Sequence, residues 1–430
     1  MSVRDQPLGF TDLPEEIQLK VFGCITDIGA KLKLERVCRL FEYLSNQQSA
    51  WKAINAVSLT FRCHRTNRDD FNLLELDCFS ESYRDSITLN GFKVPAEKCA
   101  IYLATLLSKV PKIRALYYHL GHPTPDDLKT GLVGSLNNLF QSNSAKIQLQ
   151  TIEYHRTESA DYGDQFIFNL LSKCQDTVHS FTLIDDCYYG GYNVTESDVR
   201  QFWSPLWDCL NSATNLKSVT LGGLGAVQTL NVASLSRKPL KKFVLSGYRH
   251  DLAPQIAFKS VAQIVNSSSE GVEELKLIYY FPGSSTSGAQ FEDICSGLNE
   301  RAKRKIKQLT VINSPFRRHD FDNLLKLIAN LPNLVELETY CWACTPMDRL
   351  IRALVSILKM ALPANRKQDI TFRFICVESK QSFKDNLTGF LDAISDVQLL
   401  EPKEPGVWLT LCRYNCTVRI VEVLLEVDYD

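Results

Sequence analysis

Side chains able to do chemistry occur throughout this sequence, but none of their groupings has the spacing a reaction centre needs. His119 and His122 form an HxxH pair beside Pro123. A zinc-protease helix would add a glutamate base at fixed spacing, and none is placed for it. Cys341 and Cys344 make a CxxC after an expected strand. Tetrahedral zinc takes four ligands, and the next close pair, Cys412 and Cys416, lies far along the chain. Strand-end thiols are the simpler reading. Gly222, Gly223 and Gly225 follow a strand-like run, yet no Lys-Ser/Thr pair follows them, so a phosphate loop is unsupported. Arg301, Lys303, Arg304, Lys305 and Lys307 form the one dense basic run. It fits a polyanion or nuclear-import site, and it fits better a solvated helix end, where the dipole favours lysine. No catalytic residue, metal ligand or cofactor is therefore expected, and the chain is read as a non-enzyme.

Composition narrows the partners instead. With 48 basic and 49 acidic residues the formal charge is -1, so no global field recruits nucleic acid or an anionic membrane. A chain of 430 residues that is 45% hydrophobic can bury a large core. The opening MSVRDQPLGF has no apolar signal-peptide core, and no apolar run reaches the roughly 18 to 20 residues needed to span a bilayer. These features predict an intracellular protein, cytoplasmic or nuclear or both. In that compartment the 14 scattered cysteines are expected as reduced thiols.

The elements that could position a binding surface begin at Leu13. Pro14, Glu15 and Glu16 suit the first turn of a helix. Ile17, Val21, Phe22 and Ile25 recur at helical spacing, and Leu34, Val37, Cys38 and Phe41 repeat it, with Trp51 in a third short segment. A unit of about forty residues buries too little surface to stand comfortably alone. On periodicity alone it could be a helical cap over the next domain.

The residue order Leu13-Pro14, Ile17, Val21-Phe22, Val37-Cys38-Arg39, Leu44, Trp51 resembles the F-box, the module that docks proteins onto the Skp-type adaptor of cullin-RING ubiquitin ligases. Phe41 stands where that family usually has Trp, and Lys31-Leu32 where it usually has Asp-Leu. The resemblance implies adaptor contact by Leu13, Pro14, Ile17, Val21, Phe22, Ile25, Leu34, Val37, Cys38, Phe41 and Trp51. Spacing does not say which of these face a partner and which the module's own interior.

Beyond residue 55 one pattern returns: apolar, any, any, apolar, any, apolar. It starts at Ile113, Leu149, Val178, Leu216, Leu240, Val272, Ile306 and Leu334, with weaker strand pairs at Val57/Leu59, Ile87/Leu89, Phe372/Phe374 and Val407/Leu409. Segments of helical spacing lie between them, from Ala96, Asp126, Phe166, Glu196, Phe258, Phe291, Phe321, Met347 and Ser382. Strand then helix at a recurring period predicts a parallel α/β arrangement, most economically a solenoid; a non-repeating α/β domain is the other possibility. The pattern resembles the leucine-rich repeat, although the Asn or Cys expected soon after each strand is mostly missing, with Asp185, Asn313, Cys341 and Cys376 only near its place. The expectation is thus an all-α F-box-like module over residues 1–55, then an irregular leucine-rich-repeat-like α/β horseshoe over 56–430 with a strand-rich cap at about 404–430.

In that repeat the two strand anchors point inward, so the residue after the second anchor faces the open side. Ile278, Ile312, Tyr340 and Ile375 would form an apolar stripe there, with Lys276, Glu338 and Arg373 in the next row. Such a stripe marks a binding site unless loops or the cap cover it. Together the resemblances imply a substrate receptor of an SCF-type cullin-RING ligase, holding a Skp-type adaptor, and through it a cullin-RING core, at one end and an unidentified protein substrate on the solenoid. The alternative is a scaffold whose first helices only cap the repeats.

Overall fold

Among the described residues most of the alternating apolar anchors become strands, and the segments of 3.6-residue period from Ala96, Asp126, Phe166, Glu196 and Phe258 carry helices; the segment from Ser382 lies outside the described residues, and those from Phe321 and Met347 lie mostly outside them. The structure is a computed structural model and describes residues 9–61 except 26–27 and 53, 73–79, 92–156 except 111 and 121–125, 161–185, 196–280 except 224–225, 227–228 and 249–257, 294–314 except 295, 326–341 except 329, residues 355 and 358, 368–374, and 396–422 except 401–406 and 415. The chain divides into two compact units, Met1–Gly190 and Gly191–Asp430.

In the first unit the N-terminal helices α1 (Glu15–Gly23), α2 (Ile28–Glu35) and α3 (Arg39–Ser45) lie between single 3-10 turns at Phe10–Asp12 and Gln48–Trp51. Six strands follow: β1 (Ala56–Phe61), β2 (Leu73–Phe79), β3 (Phe92–Pro95), β4 (Ile113–Leu120), β5 (Ile147–Arg156) and β6 (Ser180–Asp185). Their order is β3-β2-β1-β4-β5-β6. Strands β1, β4, β5 and β6 are parallel, whereas β2 and β3 are antiparallel additions on the outer side of β1. The repeat expected at Ile87/Leu89 would sit between β1 and β4. Val57 instead lies directly opposite Leu116, and Leu59 opposite Tyr118, which leaves no place for another strand; residues 87 and 89 themselves are outside the described ones. Helices α4 (Ala96–Lys109), α5 (Asp126–Ser142) and α6 (Asp161–Lys173) precede β4, β5 and β6. Tyr118, Tyr154, Phe140 and Phe166 join strands to helices through ring contacts of 5.4 to 5.6 Å.

In the second unit β7 (Ser218–Gly222), β8 (Lys242–Tyr248), β9 (Glu274–Tyr280), β10 (Gln308–Ser314), β11 (Glu336–Cys341) and β12 (Gln368–Phe374) run parallel in chain order. Described helices between them are α7 (Glu196–Ser212), ahead of β7, then α8 (Val232–Leu235), α9 (Phe258–Ser267) and α10 (Glu300–Lys305). Val219, Leu221, Phe243, Leu245, Leu275, Leu277, Leu309, Val311 and Leu337 make the buried face. A shared hydrogen-bond device marks the steps from β7 to β11. The carbonyl of Lys217 accepts from the amides of Lys241 and Lys242, that of Lys241 from Glu273 and Glu274, that of Glu273 from Lys307 and Gln308, and that of Lys307 from Val335 and Glu336. In this way the backbone amides at the start of these strands are satisfied.

The strand-rich end has a different topology from the one expected. Strand β13 (Val397–Leu400) pairs with β14 (Val407–Arg413), which pairs with β15 (Cys416–Glu422), both antiparallel, and β15 is the strand that runs parallel to β12. Val407 and Leu409 therefore do not anchor a parallel repeat; Val418, on β15, continues that series. The cause is local. Arg413 pairs with Cys416 across a two-residue loop, Tyr414 takes φ 52°, and such a tight hairpin can only join antiparallel strands.

Candidate functional site

The N-terminal helices build a small core around two aromatic rings. Phe22 and Trp51 are almost completely buried, with Leu44 and Ala50 beside them. Phe41 stacks on Phe22 at 6.2 Å and meets Phe10 at 5.5 Å. The Trp51 indole N–H donates to the Ser45 carbonyl at 2.6 Å, so its polar edge is satisfied in the dry interior. Phe22 and Trp51 thus serve the module's own interior.

The surface of the module is more unusual than its core. Helix α1 buries Gln18 and Phe22 while it leaves Ile17 at 39% and Val21 at 45% exposure. Gln18 is turned inward to donate to the Leu13 carbonyl at 2.7 Å. A helix that served only its own chain would bury the branched aliphatics and expose the glutamine. Val37 is 66% exposed, Pro14 and Cys38 are exposed, and Leu13, Ile25, Leu34 and Phe41 are half-buried. Of the residues expected at a partner surface, these nine reach the outside wholly or in part.

Lys31 is the residue that sequence reasoning missed, apart from its standing where the F-box family has Asp. Its side chain is fully buried. The ammonium donates to the Ala50 carbonyl at 2.7 Å and lies 5.1 Å from the Trp51 ring centre and 5.7 Å from that of Phe22. Burial lowers its pKa from 10.5 to about 8, partly opposed by Cys24. A second lysine joins the module to the first crossover helix. Lys109, in the last turn of α4, donates to Glu35 at 3.0 Å and to Asn46 at 3.0 Å, 5.8 Å from the Trp51 ring.

On the second unit, strand register fixes which expected residues share a row. Ser246, Ile278, Ile312 and Tyr340 are directly opposite one another from β8 to β11. Tyr340 is then opposite Arg373, and Glu338 is opposite Thr371. Arg373 accordingly stands in the apolar row rather than beside Glu338, and Ile375 lies beyond β12, outside the described residues. The error is a slip of two, since Ile370, Phe372 and Phe374 alternate in phase and period two cannot distinguish between them. Lys276 and Lys242 both donate to Glu274, at 3.1 and 3.0 Å. Glu338 accepts from Thr310 at 3.5 Å. Ile278 is half-buried and Ser246 is buried, and in the next row Thr310 is buried between Lys276 and Glu338.

Among the described residues the chemical candidates lie apart. His119 and His155 are paired in register with ring centres 5.1 Å apart and planes tilted by 45°, and His155 Nε2 is 3.0 Å from Glu153. His122 and Cys344 fall outside the described residues, and among those described no three ligating side chains converge as a metal site. Cys412 and Cys416 occupy separate antiparallel strands, with Cys412 3.7 Å from Thr417. In the basic run, Arg301 donates to the Ser269 carbonyl, Lys303 to Glu300 and Lys307 to Glu273. These lysines hold the Glu300 and Glu273 carboxyls below their ordinary pKa. Among the described residues no helix is long and apolar enough to cross a membrane.

No protein-family model matches the chain, and no curated protein matches it. Among solved structures, the leucine-rich repeat-containing protein LegL7 from Legionella pneumophila is similar over 82% of this chain and 96% of its own, at 14% identity and a TM-score of 0.32.

Proposed function

We propose that this chain is a substrate-recognition subunit of an SCF-type cullin-RING ubiquitin ligase, docking a Skp-type adaptor through residues 13–54 and a target protein through its α/β repeats. The observation that carries the reading is the inverted helix α1. Ile17 and Val21 stay outside while Gln18 goes in, and the exposed Val37 adds to an apolar surface the module does not use for its own core. Fully burying an aliphatic side chain is worth roughly 1.5 to 3 kcal/mol, and association costs about 4 to 15 kcal/mol. Completing the burial of Leu13, Pro14, Ile17, Val21, Leu34 and Val37 together reaches that range. In this role the chain breaks no bond; it raises the effective concentration of a target near a ubiquitin-charged enzyme.

On the repeats, the row Ile278, Ile312, Tyr340 and Arg373, flanked by Lys276 and Glu338, is the proposed target surface. The test of the adaptor half is gel filtration of the purified chain with a Skp-type adaptor. A shared peak is expected for the wild type, and its loss in an Ile17→Asp, Val21→Asp double variant that keeps its circular dichroism. A wild type that elutes apart from the adaptor overturns the proposal.

A second reading, a repeat scaffold whose first helices act as a cap, draws on the clasp at Lys109. That side chain ties α2 and the end of α3 to the first crossover helix. Under it, the double variant leaves every partner interaction unchanged.

A further inference from the structure

The basic run at α10 lies on an edge of the second unit where other cations gather. Strands β7 to β10 are in register at Ser218, Lys242, Glu274 and Gln308. The residues just before these, Lys217, Lys241, Glu273 and Lys307, therefore occupy neighbouring rungs about 4.8 Å apart. Lys241 pairs with Glu270 at 3.2 Å and Lys307 with Glu273 at 2.6 Å. Helix α10 lies over the same turn, because Arg301 donates to the Ser269 carbonyl at 2.6 Å and the Lys305 stem fills the space a Cβ of residue 271 would take. The Lys238 carbonyl accepts from the Ser269 amide, which brings Arg237 beside that turn as well. The Glu273 carboxyl feels the assembly: the Lys307 hydrogen bond first, then Lys241 and Lys305, hold it below its ordinary pKa against desolvation.

Lys217, Arg237, Arg304 and Lys305 are exposed, and none of them forms an ion pair among the described residues. With Lys241, Arg301 and Lys307 they make seven cations against the two carboxylates Glu270 and Glu273, in a chain whose formal charge is -1. Lys303 and Glu300 of α10 pair with each other, and Lys238 is buried on the carbonyls of Asn211 and Ala213.

We propose that this edge of β7 to β10 docks an extended protein segment carrying two carboxylate clusters, one seated on Lys217, Arg237 and Lys241, the other on Arg301, Arg304, Lys305 and Lys307. Two observations favour a peptide over a nucleic acid. Glu270 and Glu273 stand between the two cation groups, where they repel an unbroken phosphate backbone and a peptide can place neutral residues. No aromatic residue occurs in 214–218, 236–242, 268–274 or 300–308, so nothing there stacks on a base. The rungs of Lys241 and Lys307 are two strand spacings apart, about 10 Å, a gap that about three extended residues cover. Single exposed ion pairs are worth little, so the cluster acts by steering a complementary segment onto its place, an effect that salt weakens. The edge uses none of the residues assigned to the adaptor or to the apolar row, and the inference goes beyond those assignments without resting on them.

The test is fluorescence anisotropy of the full chain with a labelled peptide of two tetraglutamate blocks joined by Gly-Ser-Gly, in 50 and 200 mM NaCl. Binding is expected at the lower salt and should weaken about tenfold at the higher. Lys217→Gln, Arg237→Asn and Arg304→Gln together should weaken it about tenfold or more; asparagine suits the φ of 63° at residue 237. Equal neutralisation elsewhere, by Lys52→Gln, Arg114→Gln and Lys173→Gln, all exposed positions, should change it by less than about twofold. Absence of binding at 50 mM, binding that salt does not weaken, two triple variants that behave alike, or tighter binding of a uridine RNA of equal charge overturns the proposal.

Discussion

Replacing Lys31 by methionine removes a charge from the driest part of the N-terminal module while nearly conserving side-chain volume. The ammonium's pKa falls from 10.5 to about 8 because burial disfavours the charged form. That shift corresponds to about 3 kcal/mol, and residual solvent screening reduces the part realised to about 2 kcal/mol. At pH 7 the variant escapes this cost but forfeits the hydrogen bond to the Ala50 carbonyl and the contacts with two ring faces, so its stability should stay within about 1 kcal/mol of the wild type. Between pH 8 and 10.5 the unfolded wild type holds more protons at this site than the folded one, and raising the pH stabilises it. The variant has no such group. It should therefore fall behind the wild type by about 2 kcal/mol across that interval. Tyr154 and Cys174, whose pKa values are raised by burial, titrate with the opposite sign but in both proteins, and cancel in the difference. Urea unfolding of both proteins under reducing conditions at pH 7, 8.5 and 10.5 measures it. A difference that does not change with pH would refute a desolvated ammonium at Lys31.

Two further substitutions, one in each unit, probe its internal packing. Lys109→Glu sets two carboxylates against each other at Glu35 and should lower the melting temperature, at a cost of about 1 kcal/mol; adding Glu35→Lys should restore at least half of it, as a thermal melt of the double variant would show. Gly271 sits at φ 88°, and a Cβ there would come within 2.6 Å of Lys305 Cγ. Gly271→Ala should accordingly cost about 1 to 2 kcal/mol, read as a shift in the urea midpoint.

Much of the strand series was legible because each anchor pair is apolar and its flanks are polar, which alternation alone can reveal. Register was less legible. In the run Ile370-Thr371-Phe372-Arg373-Phe374 every second residue is apolar, so the face is clear and the partner is not. The hairpin of β14 and β15 was hidden by the same ambiguity, since Val407/Leu409 and Val418/Ile420 look alike until the positive φ of Tyr414 turns the chain back. In the module, Ile17, Val21 and Phe22 occupy neighbouring positions of one helical stripe, and only the inward turn of Gln18 decides which of them is core. Asp185 was noticed as lying near the place of a missing asparagine; that it would share Arg156 with Asp164 could not be read, because the pairing links the start of α6 to the ends of β5 and β6.

The carbonyl that each step of the second unit lends to the next has a consequence for how such a chain can grow or shrink. Excising residues 241–272 as a block would leave Lys217 facing the amides of Glu273 and Glu274, which are the counterparts of the ones it serves now. Loss or duplication of a whole step therefore preserves these junctions, whereas a one-residue insertion inside a strand throws it out of register with both neighbours. The uneven lengths of the intervening crossovers are what a lineage edited under that constraint would accumulate.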